Sequence, residues 1–114
     1  MRNILFVCTS NKDRSPALVK YFGVTYPDNH YRSAGVNKYF CENHNTHFLT
    51  WEDIQWANVI VFAETIHAEI TWHKILNVPI PPDKETISLN CGDFNPQDPD
   101  DYLTRAEHKI SYIL

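Results

Sequence analysis

Asn3-Ile4-Leu5-Phe6-Val7-Cys8-Thr9-Ser10-Asn11-Lys12-Asp13-Arg14-Ser15-Pro16 decides how this chain is read. Its first six residues form a continuous apolar run, the pattern of a short strand buried on both faces of a parallel sheet. Thr9 to Asp13 are polar. Ser15-Pro16 then offers a helix cap and a proline in the first turn, where the missing N–H costs nothing. Ala17, Leu18, Tyr21 and Phe22 recur at helical spacing, and Gly23 or Tyr26-Pro27 ends the element.

The same alternation continues outward. Tyr31-Arg32-Ser33-Ala34-Gly35 reads as a second short strand, and Val36 to Thr46 shows no period. Thr50-Trp51-Glu52-Asp53 fits a capping box that opens a short helix through Trp56. Ala57 to Ala63 is the clearest strand, again continuous rather than alternating. Ile66, Ile70 and Lys74 suggest a helix from Thr65 to Leu76, and Pro79-Ile80-Pro81-Pro82 marks a surface loop. Thr86 to Leu89 makes a fourth strand. Asp98-Pro99 repeats the cap-plus-proline signal before a helix that runs to the C-terminus. Strands alternating with helices predict a right-handed α/β layer fold on a parallel sheet, with its crevice at the carboxyl ends of the strands. Cys8 stands at one of those ends.

Composition narrows the function classes. The 114 residues fit one domain, 1–114, without repeats. At 13.3 kDa the folded surface should be about 6,400 Å² against about 19,300 Å² extended, enough burial for a core without staples. With 10 basic and 14 acidic residues and a net charge of −4, there is no basic stripe for nucleic acid. The longest uncharged apolar stretch, around Val59–Ala63, is too short to cross a bilayer. Met1-Arg2-Asn3 leads straight into a strand, so no signal peptide is expected. Three cysteines without a CxxC pair read as free thiols in a reduced, cytoplasmic protein.

The chemistry lies in the Cys8-x5-Arg14-Ser15 run between strand and helix. A loop of five residues ending in a helix N-terminus turns backbone N–H groups inward and makes an anion site. Arg14 adds a planar fork suited to two phosphate oxygens. At that helix end, positive potential and a hydroxyl donor such as Ser15 favour thiolate over thiol at Cys8. A nucleophile on the floor of an oxyanion cradle points to phosphoryl transfer through a phosphocysteine.

These residues, Val7-Cys8 through Arg14-Ser15-Pro16, resemble the signature of the low-molecular-weight protein-tyrosine phosphatases. Ser33-Ala34-Gly35 is similar to that family's second strand, and Ala57–Glu64 to its third. The resemblance implies a three-layer α/β/α fold with a four-stranded parallel sheet. It also implies a cysteinyl-phosphate intermediate, no metal and no cofactor. By position Cys8 would be the nucleophile, Arg14 the phosphate clamp and Ser15 the hydrogen-bond donor to sulfur. Asn11 would hold the loop's left-handed turn, and Thr9, Ser10, Lys12 and Asp13 would complete the substrate-binding loop. Two positions depart from the pattern. Ser10 stands where glycine is usual, and Asp13 where a second cysteine is often found, which puts a carboxylate near a dianion.

An aryl leaving group needs a proton, which the family takes from an Asp-Pro pair near the C-terminus. Asp98-Pro99 matches in composition but also reads as a helix start. Asp93, in Cys91-Gly92-Asp93-Phe94, follows the last strand closely and should overhang the same sheet edge as Cys8, with Phe94 as a wall for a ring. Asp93 is therefore preferred, with Asp98, Asp100 and Asp101 as alternatives.

Other signals read more plainly. Cys41, His44 and His47 have spacing reminiscent of zinc but no fourth ligand, so a solvated loop is expected. His67 and His73 read as surface or partly buried residues, Cys91 as a free structural cysteine, and the tryptophans as packing. Tyr39 and Phe40 are candidates for the substrate rim, and Tyr102 and Tyr112 for packing. The expected function is a phosphatase acting on a phosphotyrosine protein or a small aryl phosphate. Arsenate reduction, a phosphocarrier and a non-catalytic phosphate-binding module remain open on the same fold.

Overall fold

A computed structural model describes residues 1–114. Four parallel strands stand in the order β2-β1-β3-β4: β1 (Asn3–Cys8), β2 (His30–Gly35), β3 (Val59–Phe62) and β4 (Glu85–Ser88). Helix α1 (Arg14–Thr25) follows β1, and α2 (Lys38–His44) and α3 (Trp51–Trp56) lie between β2 and β3. α4 (Thr65–Glu69) continues as π-helical turns over Ile70–Ile75, and α5 (Asp100–Ile110) ends in a 3₁₀ turn. The expected α/β/α architecture and parallel four-stranded sheet are present. The accessible surface is 6420 Å², which matches the scaling estimate. No helix is long and apolar enough to cross a membrane.

The two-sided sheet explains the continuous apolar runs. Ile4, Phe6, Val59 and Val61 join a core under α1 and α5, with Leu18, Phe22, Tyr102 and Ile110. Their neighbours Leu5, Val7, Ile60 and Phe62 face the opposite core, with Leu49, Ile54 and Trp72. Both faces of the central strands are thus dry. Burying a leucine- or phenylalanine-sized side chain stabilises by about 1.5–3 kcal/mol, so these two strands anchor the fold.

Local capping departs from expectation in places. Thr50 and Asp53 form the predicted capping box, Thr50 N donating to Asp53 Oδ2 at 2.9 Å. Ser15, however, lies inside α1, whose N-cap is Asp13 without a side-chain bond. The Ser15 hydroxyl is drawn to Cys8 and Asn11 instead. Gly23 is interior to α1 rather than its end. At the other end of the chain, α5 begins after Pro99, and Asp98 makes no cap. The segment without period contains α2, capped by the Asn37 side chain, which accepts from Phe40 N at 3.0 Å.

The ladder aligns Cys8 with Gly35, so the strand ends that follow sit side by side. Gly35 has no room for a side chain. A Cβ there would lie 2.6 Å from Cys41 Sγ, 2.8 Å from Thr9 O and 2.9 Å from Asn11 N. Two of those atoms are backbone of the loop after Cys8 and cannot swing away. Gly35→Ala is expected to lower unfolding free energy by about 1–3 kcal/mol, as overpacking does. Urea titration checks it, and unchanged stability would mean the loop yields freely.

Candidate active site

β1 delivers Cys8 to the floor of a loop, and α1 begins just beyond it. Cys8 is 2 % exposed, and its sulfur lies 2.9 Å from Ser15 Oγ. Ser15 Oγ donates to Asn11 Oδ1 at 2.8 Å, and Asn11 Nδ2 reaches Ser33 O at 3.4 Å. Asn11 itself is buried, with φ 54°, in the left-handed region that asparagine tolerates. One left-handed residue in a short loop makes successive amides converge. None of the amides from Thr9 to Asp13 donates to a backbone carbonyl.

The carbonyls of Cys8, Thr9 and Ser10 are satisfied by the stretch after β2. Cys8 O accepts from Val36 N at 3.0 Å and Thr9 O from Asn37 N at 2.9 Å. Ser10 O accepts from Thr46 Oγ1 at 2.5 Å and from Cys41 Sγ at 3.5 Å. Cys41 is therefore a buried brace of the loop rather than part of a solvated one, and burial pushes its thiol pKa up. His47 is engaged elsewhere, with Nε2 2.7 Å from Asp53 Oδ2.

Arg14 is held on two sides. Its Nη1 donates to Glu64 Oε2 at 2.7 Å and its Nη2 to Thr9 Oγ1 at 3.2 Å. The Arg14 hydrogen bond holds the Glu64 carboxyl below its usual pKa. His67, expected as a surface or partly buried residue, is instead buried at 2 % exposed and completes this group. Its Nδ1 accepts from Glu64 N at 3.1 Å, so the ring proton sits on Nε2 and is donated to Thr9 Oγ1 at 2.9 Å. Burial, then the Arg14 charge, depresses the His67 pKa from 6.5 to about 4. The sequence signal was Glu64-x-x-His67 directly after a strand, a turn in which residue three can bond back to residue zero.

A cleft of about 340 Å³ opens beside Arg14, lined by Asp13, Glu64, Gly92, Asp93, Phe94 and Pro96. Asp93 thus shares a cleft with Arg14, whereas Asp98 does not line it. Lys12 is exposed on the loop's outer surface. α5 fixes the backbone beneath Asp93. Arg105 Nε donates to Cys91 O at 2.9 Å and Arg105 Nη2 to Asp93 O at 3.3 Å, while Lys109 Nζ donates to Leu89 O. Phe94 stands edge-on to the buried Tyr102 at 5.2 Å, so the one aromatic ring lining the cleft is backed by a packed tyrosine. Arg105 was invisible in the sequence because only tertiary packing brings it to this loop.

Comparison with solved structures decides the architecture. A low-molecular-weight tyrosine phosphatase from Streptococcus pyogenes matches at a TM-score of 0.72 and 12% identity, over 100% of this chain and 94% of that one. The chain has the low-molecular-weight tyrosine phosphatase fold. The phosphatase Wzb from Escherichia coli K30, in complex with phosphate, matches at 0.68 and 18% identity over 99% and 96% of the two chains. The arginine phosphatase YwlE from Geobacillus stearothermophilus matches at 0.63 and 21% identity, over 99% and 88%. Neither a family model nor a curated protein sequence matches the chain.

The neutral, buried His67 gives a test. Its folded pKa of about 4 lies below the ordinary 6.5, so the unfolded chain binds the extra proton between those values. Its contribution to stability is complete above pH 6.5 and is lost as pH falls toward 4. The size is up to about 3 kcal/mol. Chemical denaturation across that range should show the loss, and His67→Phe should flatten it while leaving the steeper fall from carboxylates below pH 4. An unaltered profile in the variant would remove His67 as the cause.

Proposed function

We propose that this chain hydrolyses phosphate monoesters through a phosphocysteine on Cys8, with phosphotyrosine or another aryl phosphate as substrate. The observation that carries the reading is the Cys8 sulfur 2.9 Å from Ser15 Oγ, beneath a loop whose amides have no backbone acceptors. Those amides would receive the equatorial oxygens of the phosphoryl group, and the Arg14 fork would clamp two of them. Cys8 sulfur attacks phosphorus, the S–P bond forms and the P–O bond to the leaving group breaks. Protonated Asp93 gives its proton to the departing oxygen. Asp93, now a carboxylate, then takes a proton from water as that water displaces the sulfur and releases phosphate.

The bound partners of Arg14 suit this scheme. Glu64 and Thr9 hold the guanidinium near the loop before any phosphate arrives, which lowers the ordering cost of the clamp. Arsenate reduction draws no such support, because it needs a relay of accessible thiols. Cys41 and Cys91 are buried, with their sulfurs turned to carbonyls of Ser10, His47 and Leu89. A cysteine phosphocarrier gives no role to Arg14.

One feature favours a second reading. Asp13, Glu64 and Asp93 make the cleft acidic, and Phe94 is the sole aromatic in its lining. A cationic leaving group, such as the guanidinium of phosphoarginine, would be better matched than a neutral ring. A solved neighbour of this fold is an arginine phosphatase.

Release of p-nitrophenol from its phosphate should be readily measured with the wild-type chain and abolished by Cys8→Ser. Asp93→Asn should lower turnover of a poor leaving group by about 10²–10⁴-fold, while a single-turnover burst on an activated aryl phosphate persists. Equal losses on both substrates would remove Asp93 from the acid role. Phosphoarginine assayed alongside separates the two readings, since a higher kcat/KM on it would favour the second.

A further inference from the structure

A second groove of about 430 Å³ runs from the phosphate loop along α4. It shares Thr9 and Glu64 with the site described above, and is walled by Val36, Ile66 and Ile70, with Lys74 beyond them. Ile66, Ile70 and Lys74 are spaced four residues apart, so they follow one face of the helix and its π-helical continuation. Ile66 is 50% exposed despite its apolar side chain. The Lys74 ammonium takes part in none of the molecule's ion pairs or side-chain hydrogen bonds. Thr9 Oγ1 already accepts from His67 and Arg14, so its own hydrogen is left to donate. Glu64, the one carboxylate in the lining, is neutralised by Arg14.

The groove therefore offers branched apolar walls next to the loop and one unpaired cation farther out. From these we infer that it is a subsite for the substrate polypeptide, taking an acidic side chain on Lys74 and an apolar residue on Ile66 and Ile70. The inference rests on the phosphatase reading of the Cys8 loop. At the α-helical rise, the eight residues from Ile66 to Lys74 would span at most about 12 Å, and the π-helical turns over Ile70–Ile75 shorten this, so an extended peptide lying along them covers the distance in about three residues. The acidic residue accordingly lies about four positions from the phosphorylated one, and the apolar residue between them. Charge complementarity at Lys74 and continuity with the loop select this occupant.

Two phosphotyrosyl peptides test it, one with glutamate and one with lysine at the fourth position on either side, each with leucine between. Wild-type kcat/KM should favour the glutamate peptide by about two- to fivefold at low salt, the scale of an exposed ion pair. The preference should reside in KM and fade at high ionic strength. Lys74→Glu should reverse it and Lys74→Arg retain it. Equal rates on both peptides, or a preference untouched by Lys74→Glu, overturns the subsite. Wild-type turnover of p-nitrophenyl phosphate, measured in parallel, isolates the underlying reading. Should it be nil, hydrolysis fails, and fluorescence-polarisation binding of the same two peptides decides the subsite. A two- to fivefold glutamate preference that Lys74→Glu reverses then supports it, and equal affinity overturns it.

Discussion

A loop that turns its amides toward an anion must turn its carbonyls away, and those carbonyls need partners. Three of them, on Cys8, Thr9 and Ser10, find theirs in the stretch from Val36 to Thr46. An unpaired buried carbonyl costs about 1–3 kcal/mol, so without this stretch the cradle would collapse onto itself. The close approach it requires leaves no space at Gly35. It also fixes where α2 begins, since Asn37 donates its N–H to Thr9 O while its side chain caps the helix. Much of what surrounds the loop is shaped by this one satisfaction problem.

That constraint also explains which features the sequence reveals. The strands are legible because β1 and β3 are buried on both faces, so their apolar runs are unbroken. The loop is legible because its residues are contiguous. α2 is not, because Cys41 is its only buried residue and the rest of its surface is solvated, leaving no apolar stripe to detect. Ser15 misleads as a cap, since a serine before proline fits both a cap and the second residue of a helix's first turn; only the sulfur and Asn11 nearby decide. His67 is misjudged for a related reason. Its burial comes from Thr9 and from the turn at Glu64, neither of which a periodic pattern records. Asp93 is separable from Asp98 by chain distance alone, being close enough to the end of β4 to overhang the sheet edge.

The group formed by Arg14, Glu64, His67 and Thr9 sets the electrostatics of the cleft. Were His67 charged, it would face Arg14 at short range in a poorly solvated corner; kept neutral, it acts as a donor without adding repulsion. Glu64 offsets Arg14, so the cleft's remaining acidity comes from Asp13 and Asp93, both exposed. Exposed carboxylates are screened by water and salt, and their repulsion of a phosphate bound as proposed would be weak beside contacts from the loop amides and Arg14. Asp13 is thus tolerable where it stands.

Ser15 has one hydroxyl hydrogen and two neighbours that want it. With Cys8 as a thiol, S–H donates to Ser15 and Ser15 to Asn11 Oδ1, a chain in which every group is served. When the sulfur is a thiolate it can only accept, so the hydroxyl must turn to it and Asn11 Oδ1 loses its donor. Asn11 is the left-handed residue on which the cradle's curvature depends, and its other tie, to Ser33 O, is long at 3.4 Å. Ionising Cys8 would therefore loosen the residue that shapes the loop, unless something else holds the loop in place. An anion held by the loop amides would do so, and under the proposed function anion binding and the thiolate of Cys8 would then support each other rather than act independently.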